Sequence, residues 1–278
     1  MNDPIRLETL LKGSLGAAPF LPVPAEAAGL HPLGVEAVDQ ALGGGLAGGR
    51  LHEVFARDRQ NESAAIGFVA MLAFVLSHRG SAQEGLPLLW LREEAVQRRG
   101  GLYAPGLADL GLDPDQFILG VLPDVKELLR AGLDGLRCSA LSVVVLELHD
   151  NPRLLDLTAS RRLVLAAERS GVTPLLLRLG TAKAHSSAAH TRWQVGSAAS
   201  IPLEADAPGQ PMLHLSLLRQ RGGAAGLDWT VEWNRDATSF RAAALSRPCF
   251  PLSGRGSVPL VNEHEGGDAG AAGWRLAV

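Results

Sequence analysis

The chain has 278 residues, of which 46% are hydrophobic, so it is long enough for one full α/β domain with additional terminal segments. Its formal net charge of −3 excludes a protein held to nucleic acid by overall charge, and leaves room for a local basic face. The two cysteines, Cys138 and Cys249, lie far apart without C-x-x-C spacing, which indicates neither a disulfide framework nor a zinc site.

The N-terminal region predicts a short helix over residues 3–12 and a linker over 13–29, which is rich in alanine, proline and glycine. The alternative interpretation is a frayed tail. Charged residues interrupt the start of the chain, and no uncharged apolar run reaches membrane-spanning length. We therefore expect a cytoplasmic protein without a signal peptide or a membrane contact.

Residues 34–67 have the order of a nucleotide-binding P-loop unit: a glycine-rich turn, a short apolar strand, a polar loop and a long apolar helix. The strand is predicted over 50–56 and the helix over 62–79. Between them a P-loop needs G-x-x-x-x-G-K-[ST], because its glycines let backbone N–H groups wrap the phosphates and its lysine reaches the β- and γ-phosphates. This span therefore decides whether the chain can hold a nucleotide.

The loop lacks that chemistry. Ala56 and Asn61 replace the two glycines, Glu62 stands in place of the lysine, and Ser63 alone keeps its residue type. A carboxylate facing a triphosphate in a partly dry loop costs on the order of several kcal/mol. Asn61 as an N-cap and Glu62 in the first turn suit an ordinary helix start. We interpret the loop as one that has lost nucleotide binding, and the alternative is an unusual site that still holds it.

Two stretches carry a family resemblance. The first comprises Leu33-Gly34, Val38-Asp39, 42–45, Gly49-Arg50 and Glu53-Val54, and resembles the start of the core in RecA-type recombinases. The second, DLTASRRLVLAAERSGVTPLLLR over 156–178, is more specific. Together the matching segments span about residues 34–233. They most resemble the ImuA family, RecA-like proteins with a degenerate P-loop from bacterial cassettes for error-prone translesion synthesis.

The resemblance implies a RecA-like core and a catalytically silent accessory protein without a cofactor, which acts in the SOS response to DNA damage. Its implied partners are the ImuB-type Y-family polymerase homologue, through it the error-prone polymerase, and RecA itself. The short N-terminal element resembles the segment that RecA-type proteins lay on a neighbouring protomer, which implies a homo-oligomer.

Two carboxylates follow predicted buried strands over 86–91 and 141–148. By the resemblance, Glu93 lies near the position where a RecA-type glutamate activates water, with Glu94 as the alternative, and Glu147 takes the place of the Walker B aspartate. The longer side chain of Glu147 shifts its carboxylate, and Mg²⁺ tolerates altered geometry poorly. A general base has no task without a bound triphosphate. We interpret Glu93 as an inherited surface carboxylate, and the alternative is a working base.

The rest of the chain alternates between strand and helix patterns, which predicts an α/β fold with a largely parallel sheet. Further helices are predicted over 103–112, 125–137 and 159–170, and further strands over 117–121, 173–179, 212–219 and 228–234. The last two strands alternate apolar and polar residues around a glycine turn, which predicts a C-terminal antiparallel hairpin. The domain prediction is an N-terminal helix and linker (1–30), a core (31–240) and a flexible tail (241–278).

Basic residues in two segments are candidates for DNA contact. They are Arg153, Arg161 and Arg162 in the first segment, and Lys183 and Arg192 in the second, where Trp193 is an aromatic candidate. By the resemblance, residues 180–200 form a mobile loop that grips the DNA backbone, with an aromatic stacked on a base. The alternative is that residues 192–195 begin a strand with Trp193 facing the core.

No nucleophile–base–orienter set and no metal-ligand spacing is recognisable in the sequence. The tail over 247–278 predicts either disorder or a segment that docks on a partner. The leading function is the silent accessory protein. The alternatives are a divergent RecA-type ATPase that uses Ser63, Glu93 and Glu147, and a damage-induced division inhibitor.

Overall fold

The computed structural model describes residues 29–78, 86–180, 183–207 and 209–243. The predicted N-terminal helix and nearly all of the predicted C-terminal tail lie outside the described residues. The described strands are β1 (Leu30–His31), β2 (Leu46–Ala47), β3 (His52–Ala56), β4 (Leu88–Glu93), β5 (Phe117–Leu122), β6 (Val143–His149), β7 (Thr173–Leu179), β8 (Thr191–Ala198), β9 (Met212–Gln220), β10 (Leu227–Asn234) and β11 (Ser239–Ala242). The described α-helices are α1 (Glu36–Ala41), α2 (Glu62–Ser77), α3 (Glu94–Gln97), α4 (Ala104–Asp109), α5 (Val125–Gly135) and α6 (Leu157–Ser170).

Nine strands form one sheet in the order β11-β10-β9-β8-β3-β7-β6-β4-β5. The six strands from β8 to β5 run parallel. The remaining three, β9 to β11, are antiparallel neighbours. This arrangement confirms the predicted α/β class, the largely parallel sheet and the C-terminal hairpin. β11 was not predicted, and it carries the sheet two residues past the predicted core boundary at residue 240.

Helices cover both faces of the parallel half of the sheet, so β4, β5, β6 and β7 are largely apolar runs rather than alternating patterns. β6 and β7 are buried along almost their whole length. One face packs against α2, and Val54 belongs to that core. The other face packs against α5 and α6, and Leu51 belongs to that second core. The carboxyl ends of the parallel strands therefore lie between two helical layers.

The helix α2 follows β3 directly and forms the centre of the first core, with ten of its sixteen residues buried. The ring of Phe68 lies 6.4 Å from that of Trp193 and 5.6 Å from that of Phe240. By length and composition, residues 59–77 are apolar enough to cross a membrane, yet 56% of that stretch is buried inside the fold. The apolar sequence of α2 is thus that of a core helix that is enclosed by sheet and connecting segments.

The helices of the second layer begin and end at recognisable residues. Asp124 caps α5 by accepting a hydrogen bond from the Glu127 N–H, and Asp156 caps α6 by accepting one from the Ala159 N–H. Gly171 ends α6 in the left-handed conformation. The two helices correspond to those predicted over 125–137 and 159–170. These caps set where each helix crosses back over the sheet.

Replacing Gly67 by alanine is expected to raise the free energy of unfolding by about 0.5–1 kcal/mol, because glycine in a helix interior loses more backbone entropy on folding. Gly67 lies within α2, and a Cβ added there meets no atom within 4 Å. Urea denaturation of the Gly67→Ala variant beside the wild type measures the change. A loss of stability would show that the space beside Gly67 is filled.

Candidate functional site

The candidate site lies at the carboxyl ends of the parallel strands, where open α/β sheets collect their ligands. The loop that follows β3 leads through a short 3-10 turn over Arg59–Asn61 into α2. The ends of β4, β6 and β7 lie along the same edge. The sequence-predicted positions from Ala56 to Ser63, together with Glu93 and Glu147, are therefore brought to one edge of the sheet.

The loop after β3 is closed around Asp58, a residue that the sequence reasoning did not single out. Its Oδ1 accepts hydrogen bonds from the backbone N–H groups of Gln60 (2.9 Å) and Asn61 (3.1 Å) and from Asn61 Nδ2 (2.8 Å). Backbone N–H groups at the start of a helix are the groups that bind phosphate in a working site. Here a carboxylate of the protein already occupies two N–H groups, those of the turn that leads into α2.

Asn61 and Glu62 connect the start of α2 to the neighbouring strands. Asn61 Oδ1 accepts hydrogen bonds from the backbone N–H and the hydroxyl of Ser197 in β8, at 2.7 and 3.0 Å. Glu62 Oε1 accepts one from the Gly180 N–H at 2.9 Å, directly after β7. Glu62 thus places a second carboxylate at this helix N-terminus, where it complements the positive end of the helix dipole.

Glu147 is fully buried at the end of β6, on the face that packs against α2. Its Oε2 accepts a hydrogen bond from Trp90 Nε1 and its Oε1 accepts one from Arg92 Nη2, both at 2.8 Å. Arg92 also donates to Gln97 Oε1 and to the Gly100 carbonyl, which holds its guanidinium in place. Arg92 therefore supplies, next to Glu147, the positive charge that a metal ion would supply beside a Walker B carboxylate.

Burial raises the pKa of Glu147, but the contacts of His149, Arg92 and Trp90 outweigh it and hold the pKa below its ordinary value. His149 Nε2 lies 3.5 Å from Glu147 Oε1, which is long for a hydrogen bond, so Arg92 and Trp90 are the firm partners. The carboxylate stays ionised and paired with arginine.

The other predicted positions are less engaged. Glu93 is half-buried at the end of β4 and is the N-cap residue of α3, where its side chain makes no capping bond. Ser63 is exposed in the first turn of α2, and Ala56 is the half-buried last residue of β3. Within the described residues, no group of three or more His, Cys, Asp and Glu side chains could hold a metal ion. Glu93 therefore contributes a carboxylate to the site, whereas the carboxylates of Asp58, Glu62 and Glu147 are already bound by groups of the protein.

A buried charge network was missed by the sequence reasoning. Glu53 in β3 accepts hydrogen bonds from Arg192 Nε at 2.7 Å and from the Ser187 hydroxyl at 2.8 Å, and Arg178 Nη1 lies 3.6 Å away. Arg178 is only 1% exposed, and its guanidinium carbon lies 5.5 Å from the centroid of the Phe55 ring. Burial lowers the pKa of Arg178, Glu53 opposes that shift, and Arg192 adds to it. The Glu53 carboxylate is thus the counter-charge of two buried guanidinium groups.

The structure corrects two of the DNA-binding candidates. Arg192 is buried and bound to Glu53, so its guanidinium is not available to a phosphate. Trp193 is 0% exposed and donates from Nε1 to the Thr191 hydroxyl, so its ring cannot stack on a base. The alternative interpretation, a strand with Trp193 facing the core, is the one found in β8.

The connection from β7 to β8 lies within residues 180–200, the segment expected to form a loop that grips DNA, and its described part makes hydrogen bonds to the rest of the protein. His185 Nε2 donates to the Leu155 carbonyl, and the Ala188 N–H donates to the Ser160 hydroxyl of α6. Because β7 and β8 run parallel on either side of β3, this connection must cross a face of the sheet. Its described part packs on the face that α6 covers.

The remaining DNA-binding candidates are exposed. Arg153 follows β6, Lys183 follows β7, and Arg161 and Arg162 lie in α6. Among the described residues, none of these four forms an ion pair with an acidic side chain. Arg153 and Lys183 therefore lie beyond the carboxyl ends of their strands, whereas Arg161 and Arg162 lie in the second turn of α6.

Acidification is expected to destabilise the fold through His52, which is fully buried. In the neutral ring, His52 Nε2 donates to the Ala47 carbonyl and Nδ1 accepts from the Thr191 hydroxyl. Burial lowers the pKa of His52 to about 3, from 6.5. Its stabilisation is complete above pH 6.5 and is lost as the pH falls, by about 2 kcal/mol between pH 6.5 and about pH 5.

Urea denaturation at several pH values measures this loss for the wild type and for His52→Gln. The variant is expected to be less stable at neutral pH and to lose less stability on acidification. The wild-type slope over the same pH range is the reference for this variant. An unchanged slope in His52→Gln would contradict the assignment. His190, whose pKa is also lowered by burial, adds in the same direction.

Comparison with known proteins gives two curated relatives. Both are named Protein ImuA, come from strains of Caulobacter vibrioides, and are 34% identical over 202 residues, which cover 68% of this chain and 77% of each relative. No family model matches the chain. The crystal structure of the RadB recombinase has a TM-score of 0.49 at 16% identity, and the match covers 77% of this chain and 100% of that one.

Proposed function

Because the chain belongs to the ImuA family, we propose that it is a non-catalytic, RecA-like accessory protein of error-prone translesion DNA synthesis in the SOS response. Family membership supports the link to induced mutagenesis. The geometry of the carboxyl edge supports the absence of catalysis. The protein would then act in the cytoplasm through its contacts with other macromolecules.

The observation that carries this proposal is that the protein's own side chains take up the groups of the nucleotide site. Asp58 accepts the N–H groups of the turn that leads into α2, and Glu62 places a second carboxylate in the first turn of α2. Arg92 pairs with Glu147. A Mg²⁺–triphosphate would have to displace Arg92 from a buried carboxylate and approach two fixed carboxylates, and each step is unfavourable.

The partners follow from the family. We propose that the chain binds an ImuB-type Y-family polymerase homologue, and through it the error-prone polymerase, with RecA as a further partner. The N-terminal segment is proposed as a contact between protomers. Arg153 and Lys183 are exposed after β6 and β7, which makes them the better-placed candidates for contact with DNA phosphates.

Calorimetry with ATP and Mg²⁺ tests the proposal on the full chain. We expect no binding by the wild type up to millimolar nucleotide. Glu62→Lys restores the P-loop charge but leaves Asp58 in place, so that variant is also expected to bind weakly at most. The double variant Asp58→Gly, Glu62→Lys frees the N–H groups and is expected to bind more tightly than either.

Micromolar binding by the wild type would overturn the proposal. The divergent ATPase would then be the better function, with Glu93 as the free carboxylate near the site. In that case Glu93→Gln should abolish hydrolysis without weakening nucleotide binding, because a general base acts on the water and not on the phosphates.

A further inference from the structure

The outer face of α6 carries an apolar side chain between arginines. Leu163 and Ala167 face the sheet, while Arg161, Leu165 and Arg169 are exposed. Residues four apart lie one above the other on a helix, so these three side chains form a row with Leu165 in the middle. Leu165 is 54% exposed. We name this row, with the adjacent Arg162, the α6 outer face.

A second exposed leucine precedes the helix. Leu154 is also 54% exposed and lies two residues before Asp156, the N-cap of α6. Arg153 beside it is exposed as well. The segment that leads into α6 thus repeats the pairing of a leucine with an arginine. Single exposed leucines are common on protein surfaces, so it is the arginines next to Leu154 and Leu165 that set these two apart.

The charges of the α6 outer face are not neutralised from within the described residues. No ion pair there uses Arg161, Arg162 or Arg169. Glu168 is the acidic residue of α6. It forms an ion pair with Arg50, which lies in the segment before β3. The α6 outer face is therefore positive over about two turns of helix, and the acidic side chain of α6 is paired with an arginine outside this face.

We propose that the α6 outer face docks an acidic amphipathic helix of a partner protein, an inference that rests on the proposed function because it requires action through protein contacts. A helix with leucines flanked one turn away by glutamates would cover Leu165 and meet Arg161 and Arg169. Nucleic acid fits this face less well. Phosphates would use the arginines but leave Leu165 in water, and an aliphatic side chain offers no stacking surface.

The test uses a defined probe, a fluorescein-labelled helical peptide of about five turns that carries leucines flanked by glutamates. Fluorescence anisotropy measures its binding to the full chain. We expect the wild type to bind it, Leu165→Ala to bind about tenfold more weakly, and the double variant Arg161→Glu, Arg169→Glu to lose binding. A peptide with lysines in place of the glutamates should not bind.

Leu203→Ala is the matched control. Leu203 is 59% exposed in the connection between β8 and β9, outside α6, so its loss should leave peptide binding unchanged. Because Leu165 and the two arginines are exposed, we expect their variants to fold, and circular dichroism with thermal melting checks this.

Three outcomes would overturn the inference. Equal binding by Leu165→Ala and the wild type would show that the leucine is not an anchor. Arginine variants that lose affinity for a single-stranded oligonucleotide, while they keep affinity for the peptide, would assign the face to nucleic acid. A dimer detected by light scattering and lost in Leu165→Ala would assign it to a second copy of this chain. Nucleotide binding would overturn the proposed function alone, since it is measured separately.

Discussion

Replacing Glu53 by glutamine is expected to lower the free energy of unfolding by about 3–5 kcal/mol, because it leaves Arg178 and Arg192 buried without a counter-charge. Glu53 is the carboxylate that both guanidinium groups approach. Arg178 already has two nitrogen atoms, Nε and Nη1, without a hydrogen-bond partner. Urea denaturation monitored by tryptophan fluorescence measures the loss of stability, because Trp193 lies next to Arg192 in β8.

Glu168→Gln is the matched control for this prediction. It removes the same charge from an ion pair with Arg50 that is more than a third exposed on both sides, so its effect is expected to be about 0–1 kcal/mol. Equal losses in the two variants would show that burial does not set the energy of the Glu53 network. In that case the connection between β7 and β8 would not depend on Glu53 for its position.

Replacing Phe68 by alanine is expected to cost about 3–5 kcal/mol, because it opens a cavity in the centre of the first core. Phe68 is fully buried in α2 and packs between the rings of Trp193 and Phe240. It therefore joins the helix to β8 and to the last strand, β11. Denaturation in urea measures the change.

Leu218→Ala serves as the control, since Leu218 is half exposed on β9 and its truncation is expected to change stability by less than about 0.5 kcal/mol. A small effect of Phe68→Ala would contradict the central position of α2. A cooperative transition at lower denaturant concentration, with an unchanged slope, would confirm that the whole fold depends on this packing.

Sequence patterns predicted most of the parallel sheet because each buried strand is an apolar run with helical patterns on either side. The ends of β3, β7 and α2 were predicted to within two residues. β11 escaped prediction, since its four residues are held by pairing with β10 and by a hydrogen bond from the Phe240 N–H to the Leu33 carbonyl. A strand this short depends on distant partners that no local pattern reveals.

The sequence by itself determined that the P-loop glycines and lysine are absent and that a glutamate stands at the end of β6. Only the tertiary structure decided what replaces the missing groups. Asp58 turns back on its own loop, whereas Arg92 reaches Glu147 from a neighbouring strand that is 55 residues away in sequence.

The same distinction applies to the strand pattern of residues 191–198, where Arg192 and Trp193 fit either a DNA-binding loop or a buried strand. Local sequence determines which side chains share a face of a strand, because side chains alternate with a period of two. Which face is buried, and which charge is paired, depends on strands and loops brought together from distant parts of the chain. In this protein the core around Phe68 buries the face of β8 that carries Trp193, and Glu53 pairs with the charge of Arg192.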